Sequence, residues 1–160
     1  GYPVCLELIG PISSESIGRL NRIIKSDRNK NNIINHIGSV SNNKLSNHYK
    51  STDAFVFASS CENLPNILIE AMASGLPIAS SNMGPMPEVL SDGGLYFNPL
   101  DIDSIYYCLK KIILEPITRE FIANKAYKKA NTYTWKDCSN NTFKYIKEIN
   151  NKFNENDNKK

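Results

Sequence analysis

Two carboxylates separated by seven residues are the part of this sequence best suited to chemistry. Glu62 and Glu70 end the segment Glu62-Asn63-Leu64-Pro65-Asn66-Ile67-Leu68-Ile69-Glu70, which predicts a short helix buried on most of its circumference. An unpaired carboxylate in such a helix costs several kcal/mol, and the nearby sequence offers no cation for Glu70. Because vicinal hydroxyls can donate two hydrogen bonds to one carboxylate, the first hypothesis is a sugar ligand.

The elements around this pair alternate between strands and helices. Strands are predicted at 4–9, 33–37, 54–58, 77–80 and 95–97, and helices between them at 14–25, 45–50, 65–74 and 87–90. This order predicts an α/β fold, with a twisted, largely parallel sheet and flanking helices. A helical C-terminus follows, at about 101–114, 117–131 and 136–152. The polar segment 154–160 is predicted to be a disordered tail.

The predicted sheet places the carboxylate pair where α/β proteins bind ligands. Glu62 follows the strand Ala54–Ala58, and ligands of open parallel sheets lie beyond the carboxyl ends of the strands. The free N–H groups and dipole of the next helix favour an anion such as a diphosphate. Asn63 is predicted to cap this helix, and Gly75 to end it.

These motifs, in this order and spacing, resemble the nucleotide-sugar-binding C-terminal domain of retaining GT-B glycosyltransferases of family 4 (glycosyl transferases group 1). The matching segments are 6–10, 37–40, 49–57, 62–81, 84–90, 92–99 and 134–135. The resemblance covers roughly residues 4 to 150. Motifs that match in order and spacing over this range are specific evidence for the family, whereas a lone carboxylate pair would be weak evidence. It implies a Rossmann-like, donor-binding domain over residues 1–153 that lacks its first strand–helix unit.

The resemblance also implies site residues. Glu62 would be the catalytic residue that holds hydroxyls of the donor sugar near its reacting carbon, and Glu70 would bind the nucleotide ribose. Contacts to the donor sugar and diphosphate are implied for Asn63, Leu64, Asn66 and Ile67, and nucleobase contacts for Gly38 and Val40. The alternatives are a helix-capping Glu62 with a solvated Glu70, and an ordinary strand-to-helix turn at Gly38.

One segment departs from the commonest family pattern. That pattern has Gly-Phe-Gly or similar after the first carboxylate, where this chain has Asn63-Leu64-Pro65. Pro65 has no N–H, so one backbone donor is lost. The amides of Leu64, Asn66 and Ile67 remain for sugar and phosphate, and the variation is expected to shift sugar preference rather than abolish binding.

The implied function is transfer of a sugar, of the hexosyl type, from a nucleoside diphosphate sugar with retention of configuration, in glycan or polysaccharide biosynthesis. The nucleotide sugar is a substrate, and no metal or other cofactor is expected. A chain of 160 residues is too short for a two-domain transferase. It is expected to be a fragment, a truncated gene product or part of a split enzyme, inactive without an N-terminal domain in cis or in trans. The alternatives are a non-catalytic nucleotide-sugar-binding module or remnant and, less favoured, a scaffold.

Other residues that invite a chemical interpretation have structural explanations. Asp101-Ile102-Asp103 resembles a metal-binding pair, but its position predicts a helix start. His36 and His48 lack the partners of a catalytic or metal site, and are predicted to be a strand-packing and a surface residue. Trp135 is expected to anchor the last helix in the core.

Bulk properties exclude several other classes of protein. The net charge of +3, from 19 basic and 16 acidic residues, does not indicate a nucleic-acid partner. The four cysteines form no Cys-x-x-Cys motif, which favours reduced thiols in a cytoplasmic protein. The sequence shows neither a signal peptide nor a membrane-spanning run. The basic C-terminal third is predicted to be a solvated helical face and tail, and the alternative is peripheral membrane contact of the full enzyme.

Overall fold

The structure, a computed structural model, describes residues 3–26 and 33–157 and divides into two compact units, Gly1–His48 and Tyr49–Lys160. Its elements are β1 Leu6–Ile9, α1 Ser14–Ser26, β2 Ile34–Gly38, α2 Asn42–Lys50, β3 Phe55–Phe57, α3 Asn66–Ala73, β4 Ile78–Ser81, α4 Met86–Leu90, β5 Gly94–Phe97, α5 Ile102–Leu114, α6 Pro116–Ala130 and α7 Trp135–Asp157. The predicted α/β alternation is confirmed. The polar segment 26–32, whose composition predicts a loop, lies mostly outside the described residues.

The first unit contains a two-stranded parallel sheet. Leu6 pairs with Ile34, and Leu8 pairs with His36. The amphipathic helix α1 is confirmed, with an exposed Arg19–Glu15 ion pair at 2.7 Å on its surface. None of the described side chains of this unit is fully buried.

The second unit is built on a three-stranded parallel sheet in the order β3-β4-β5. Phe55 pairs with Ile78 and Ser80 pairs with Tyr96, while α3 and α4 make the crossover connections. Because all three strands run the same way, their carboxyl ends meet at one edge. The strands are therefore parallel as predicted, although they form two sheets rather than one.

The core of the second unit lies around its central strand. All four residues of β4 are buried. Ala79 packs with Phe97 of β5 and with side chains of α5 and α6, namely Cys108, Ile112 and Ile122. Ile78 points to the opposite face because side chains alternate along a strand. The continuous apolar run Ala54–Ala58 is typical of a strand covered on both faces, but β3 is shorter and only half-buried, and β4 is the strand that is buried throughout.

Helix α7 differs from its prediction in length and in packing. It runs from Trp135 to Asp157, beyond the predicted end at about 152 and into the segment predicted to be a disordered tail. Residues 158–160 lie outside the described residues. Trp135 is 81% exposed, so the prediction that it anchors the helix in the core is wrong. Other apolar side chains of α7, Phe143, Ile146 and Phe153, are also exposed.

Candidate functional site

The loop that follows β3 brings Glu62 to the carboxyl edge of the three-stranded sheet. Glu62 is half-buried. The loop after β4 lies beside it, since a Cβ placed on Gly84 would stand 4.0 Å from the Glu62 backbone nitrogen. Gly84 has φ +56°, a conformation that favours glycine. Two neighbouring strand ends thus form the surroundings of Glu62, and the sequence predicted the first of them.

The start of α3 is organised differently from the prediction. Pro65 occupies the N-cap position, and no side chain caps the helix, so the prediction that Asn63 is the cap is wrong. A tight turn explains the difference: the Asn66 N–H donates to the Leu64 carbonyl at 2.9 Å. The Asn66 amide, predicted to be available to a ligand, is therefore used within the chain. Among the described residues, no acceptor is bonded to the N–H groups of Leu64 and Ile67.

Helix α3 has one buried face and one open face. The buried face consists of Leu68, Ala71 and Met72. Asn66, Ile67 and Glu70 are exposed, and their spacing places them together on the opposite side. We call these three residues the open face of α3.

The exposure of Glu70 overturns the predicted burial of this carboxylate. The apolar composition of the segment indicated a helix buried nearly all round, but only the stripe of Leu68, Ala71 and Met72 is buried. Ile67 is 52% exposed on the open face. Without a buried environment, the carboxylate needs no ligand to offset a desolvation penalty, so its role has to be argued from geometry instead.

Tyr49, near the C-terminal end of α2, holds the Glu70 side chain. Its hydroxyl donates to Glu70 Oε2 at 3.1 Å and lies 3.5 Å from the Ile67 carbonyl oxygen. The tyrosine is 8% exposed, and its ring packs edge-on against Phe55, with centroids 6.0 Å apart. Burial, and then the charge and hydrogen bond of Glu70, raise the pKa of Tyr49 above its usual range. The phenol therefore remains a donor at ordinary pH.

Sequence reasoning missed Tyr49 as a site residue. Tyr49 belongs to one of the segments that carry the family resemblance, but no spacing rule links it to a carboxylate 21 residues away. The link exists only because β3 returns the chain beside α3. The available signal was a tyrosine directly before a predicted sheet strand, which is too common to indicate a contact.

The two residues predicted to contact a nucleobase belong to the first unit. Gly38 ends β2 and has φ +79°. Its carbonyl accepts a hydrogen bond from the Gly10 N–H at 2.9 Å. A Cβ added there would meet nothing within 4 Å in the described chain, so backbone conformation, not close approach, explains the glycine. Val40 follows β2 and is half-buried.

The remaining polar residues have structural partners. Asp101 caps α5, accepting from the N–H groups of Asp103 and Ser104 at 3.0 and 3.3 Å, which confirms the predicted helix start. His36 Nε2 lies 3.0 Å from the Gly10 carbonyl oxygen. His48 was expected to have no carboxylate partner, but its Nδ1 lies 3.4 Å from Glu7 Oε2. The strand β1 supplies this partner from a distant part of the sequence.

Two kinds of feature are absent from the described part of the chain. No three His, Cys, Asp or Glu side chains within residues 3–26 and 33–157 are grouped so that they could hold a metal ion. None of the helices in that part of the protein combines the length and hydropathy needed to cross a bilayer.

Comparison with known proteins connects this geometry to a family. The family described as glycosyl transferases group 1 matches residues 4–129. Sulfoquinovosyl transferase SQD2 of Arabidopsis thaliana is 32% identical over 104 residues, covering 62% of this chain and 20% of the relative. O-antigen chain mannosyltransferase B of Escherichia coli is 29% identical over 114 residues, covering 71% of this chain and 30% of the relative.

A solved structure shares the fold. Anabaena Alr3699/HepE, crystallised in complex with UDP and glucose, superposes with a TM-score of 0.72 at 18% identity, over 81% of this chain and 36% of that protein. The chain thus spans about a third or less of the curated relatives described here, in agreement with the single C-terminal domain that the sequence predicts. The match over residues 4–129 shows that the chain belongs to the glycosyl transferases group 1 family.

Proposed function

We propose that this chain is the donor-binding part of a retaining, hexosyl-type glycosyltransferase that acts in glycan or polysaccharide biosynthesis. Its ligand would be a nucleoside diphosphate sugar, with Glu70 on the ribose hydroxyls and Glu62 on the sugar near the reacting carbon. The acceptor would be bound by another part of the enzyme, since this chain covers only 20% and 30% of two relatives that are transferases. No resident metal or cofactor is proposed.

The observation that carries the proposal is the oriented carboxylate on the open face of α3. An exposed glutamate normally samples several rotamers, which weakens any hydrogen bond it makes. Here the nearly buried Tyr49 hydroxyl engages Glu70 Oε2 at 3.1 Å. A carboxylate has about four acceptor positions, so Oε1 and part of Oε2 remain for two adjacent hydroxyls.

The start of α3 supports the diphosphate part of the proposal. The unbonded N–H groups of Leu64 and Ile67 lie at the positive end of the helix dipole, which favours an anion. Glu62 precedes this end, and Glu70 lies about one turn along the helix, roughly 6 Å from Asn66 by helix geometry. A donor with its sugar toward Glu62 and its ribose toward Glu70 would pass its diphosphate over these amides.

Isothermal titration calorimetry tests the proposal with UDP-, GDP- and ADP-sugars and with the corresponding nucleoside diphosphates. Glu70→Ala is expected to weaken binding of both ligand types by roughly tenfold or more, because two hydrogen bonds to a charged acceptor are lost. Glu62→Ala is expected to weaken binding of the nucleotide sugar only. The Glu62→Ala variant should bind the bare nucleoside diphosphate with the same affinity as the wild type.

Glu120→Ala is the matched control, since it removes an exposed carboxylate of α6 and should bind like the wild type. Absence of heat with every nucleotide would overturn the proposal and favour a scaffold. Binding with equal effects of the Glu62 and Glu70 substitutions on both ligand types would contradict the assigned orientation. Retention is tested by NMR of the product formed by the complete enzyme.

A further inference from the structure

We propose that Tyr49 is a positioning residue that fixes the rotamer of Glu70 and thereby makes the site selective for a ribose with both of its hydroxyls. The inference rests on the proposed function, because it assigns a device to the same carboxylate. Tyr49 itself would not contact the ligand.

The ring of Tyr49 is held rigidly. Its ring is almost completely buried and packs edge-on against Phe55, which in turn stacks on Phe57 with centroids 6.1 Å apart. Phe55 and Phe57 are both residues of β3, the strand whose end leads to Glu62. The phenol is therefore held by the sheet rather than by the surface of the protein.

The hydrogen bond between Tyr49 and Glu70 has a defined direction. A carboxylate can only accept, so the Tyr49 O–H donates to Glu70 Oε2. Burial and the Glu70 charge hold the phenol in its protonated form, and this direction does not change over the pH range of a binding assay. The phenol thus occupies one acceptor position of Glu70, and the opposite edge of the carboxylate would be presented to the ligand.

The tether reduces the side-chain entropy that Glu70 would lose on binding a ligand. A free exposed glutamate loses side-chain entropy when it binds a ligand, whereas a tethered one has already lost most of that freedom on folding. The gain applies only to ligands that use Glu70. A nucleotide without ribose hydroxyls should not benefit from Tyr49, and this separates a positioning role from general support of the fold.

The test compares a ribonucleotide with its dideoxy counterpart. Of UDP, GDP and ADP, the one that the wild type binds most tightly is titrated together with its 2′,3′-dideoxy form. Tyr49→Phe keeps the ring and removes the hydroxyl. It is expected to weaken ribonucleotide binding roughly three- to tenfold, the effect of one hydrogen bond, and to leave dideoxynucleotide binding unchanged. In a Glu70→Ala background, Tyr49→Phe should have no further effect.

Tyr133→Phe is the matched control, because it removes another phenolic hydrogen bond, to the Val89 carbonyl at 3.1 Å, that does not involve Glu70. Equal weakening of both nucleotides by Tyr49→Phe, or no weakening at all, would overturn the inference while the effect of Glu70→Ala still supported the proposed function. No binding of any ribonucleotide by the wild type would overturn both. Circular dichroism of each variant confirms that the fold is retained.

Discussion

At the scale of single residues, the site combines exposure with order. Glu70 is open to solvent, yet its carboxylate accepts a hydrogen bond from the nearly buried Tyr49 hydroxyl. A buried carboxylate would have needed its ligand to offset desolvation, whereas this one has little penalty to offset. In the proposed donor site, its contribution to binding would come from pre-organisation, which reduces the entropy lost on association.

The buried thiol of Cys108 predicts that the free energy of unfolding depends on pH. Burial raises the pKa of its thiol to about 11, partly opposed by Lys111. Since the pKa is higher in the folded state than in the unfolded state, this group stabilises the fold fully below the unfolded value. The contribution is lost as pH rises from about 9 toward 11, where the unfolded thiol ionises first.

The free energy of unfolding, measured with urea between pH 8 and 11, should therefore fall more steeply for the wild type than for Cys108→Ala. The comparison removes the contribution of lysines and tyrosines that titrate in the same range. Parallel curves would contradict the prediction. In the folded protein at pH 8, iodoacetamide should modify the exposed Cys5, Cys61 and Cys138 and spare Cys108.

At the scale of elements, α6 packs closely against the turn before β5. A Cβ on Gly93 would lie 2.7 Å from the Cα and the nitrogen of Ala126. Because the obstacle is backbone, it cannot be relieved by a side-chain rotation. Gly93→Ala is expected to destabilise the second unit by about 1–3 kcal/mol.

Urea denaturation followed by circular dichroism measures this loss. Gly18→Ala serves as the control, because a Cβ on this residue of α1 meets nothing within 4 Å and alanine is favoured over glycine inside a helix by roughly 0.5–1 kcal/mol. The two substitutions should thus have effects of opposite sign. A neutral or stabilising Gly93→Ala would show that α6 can move away from the turn without cost.

The C-terminal end of α3 was predicted correctly from the sequence, at Gly75. Gly75 has φ +72°, its N–H donates to the Met72 carbonyl at 3.0 Å, and the Leu76 N–H reaches the Ala71 carbonyl at 3.4 Å. This is the hydrogen-bond pattern of a glycine-terminated helix. The predicted beginning at 65 is within one residue of the observed one at Asn66, but the predicted capping residue is wrong, because a local turn at Pro65 replaces the side-chain cap.

At the scale of the whole molecule, the two units differ in how many of their described side chains are buried. The second unit has a central strand with four buried residues. The first has only a two-stranded sheet, and no fully buried side chain among its described residues. Two-stranded sheets are marginal by themselves. Amide hydrogens of β1 are therefore expected to exchange with solvent roughly tenfold faster or more than those of β4.

Hydrogen–deuterium exchange with mass spectrometry measures this difference, with β5 as an internal reference that should resemble β4. Equal protection of β1 and β4 would mean that both units open in a single cooperative step. Repeating the measurement with the bound nucleoside diphosphate identifies the segments that the ligand stabilises.

The sequence by itself determined the α/β order, the parallel strands, the end of α3 at Gly75 and the helix start at Asp101. These features follow from local periodicity, backbone conformation and capping, which neighbouring residues decide. The family was also readable, because its motifs keep their order and spacing along the chain.

Only the tertiary structure decided which apolar faces are covered. Glu70 was predicted to be buried and Trp135 to lie in the core, but both are exposed. Hydrophobicity shows that a side chain can be buried, whereas burial itself requires a partner surface brought there by the rest of the chain. The Tyr49–Glu70 contact has the same origin, since only folding places side chains 21 residues apart within hydrogen-bonding distance.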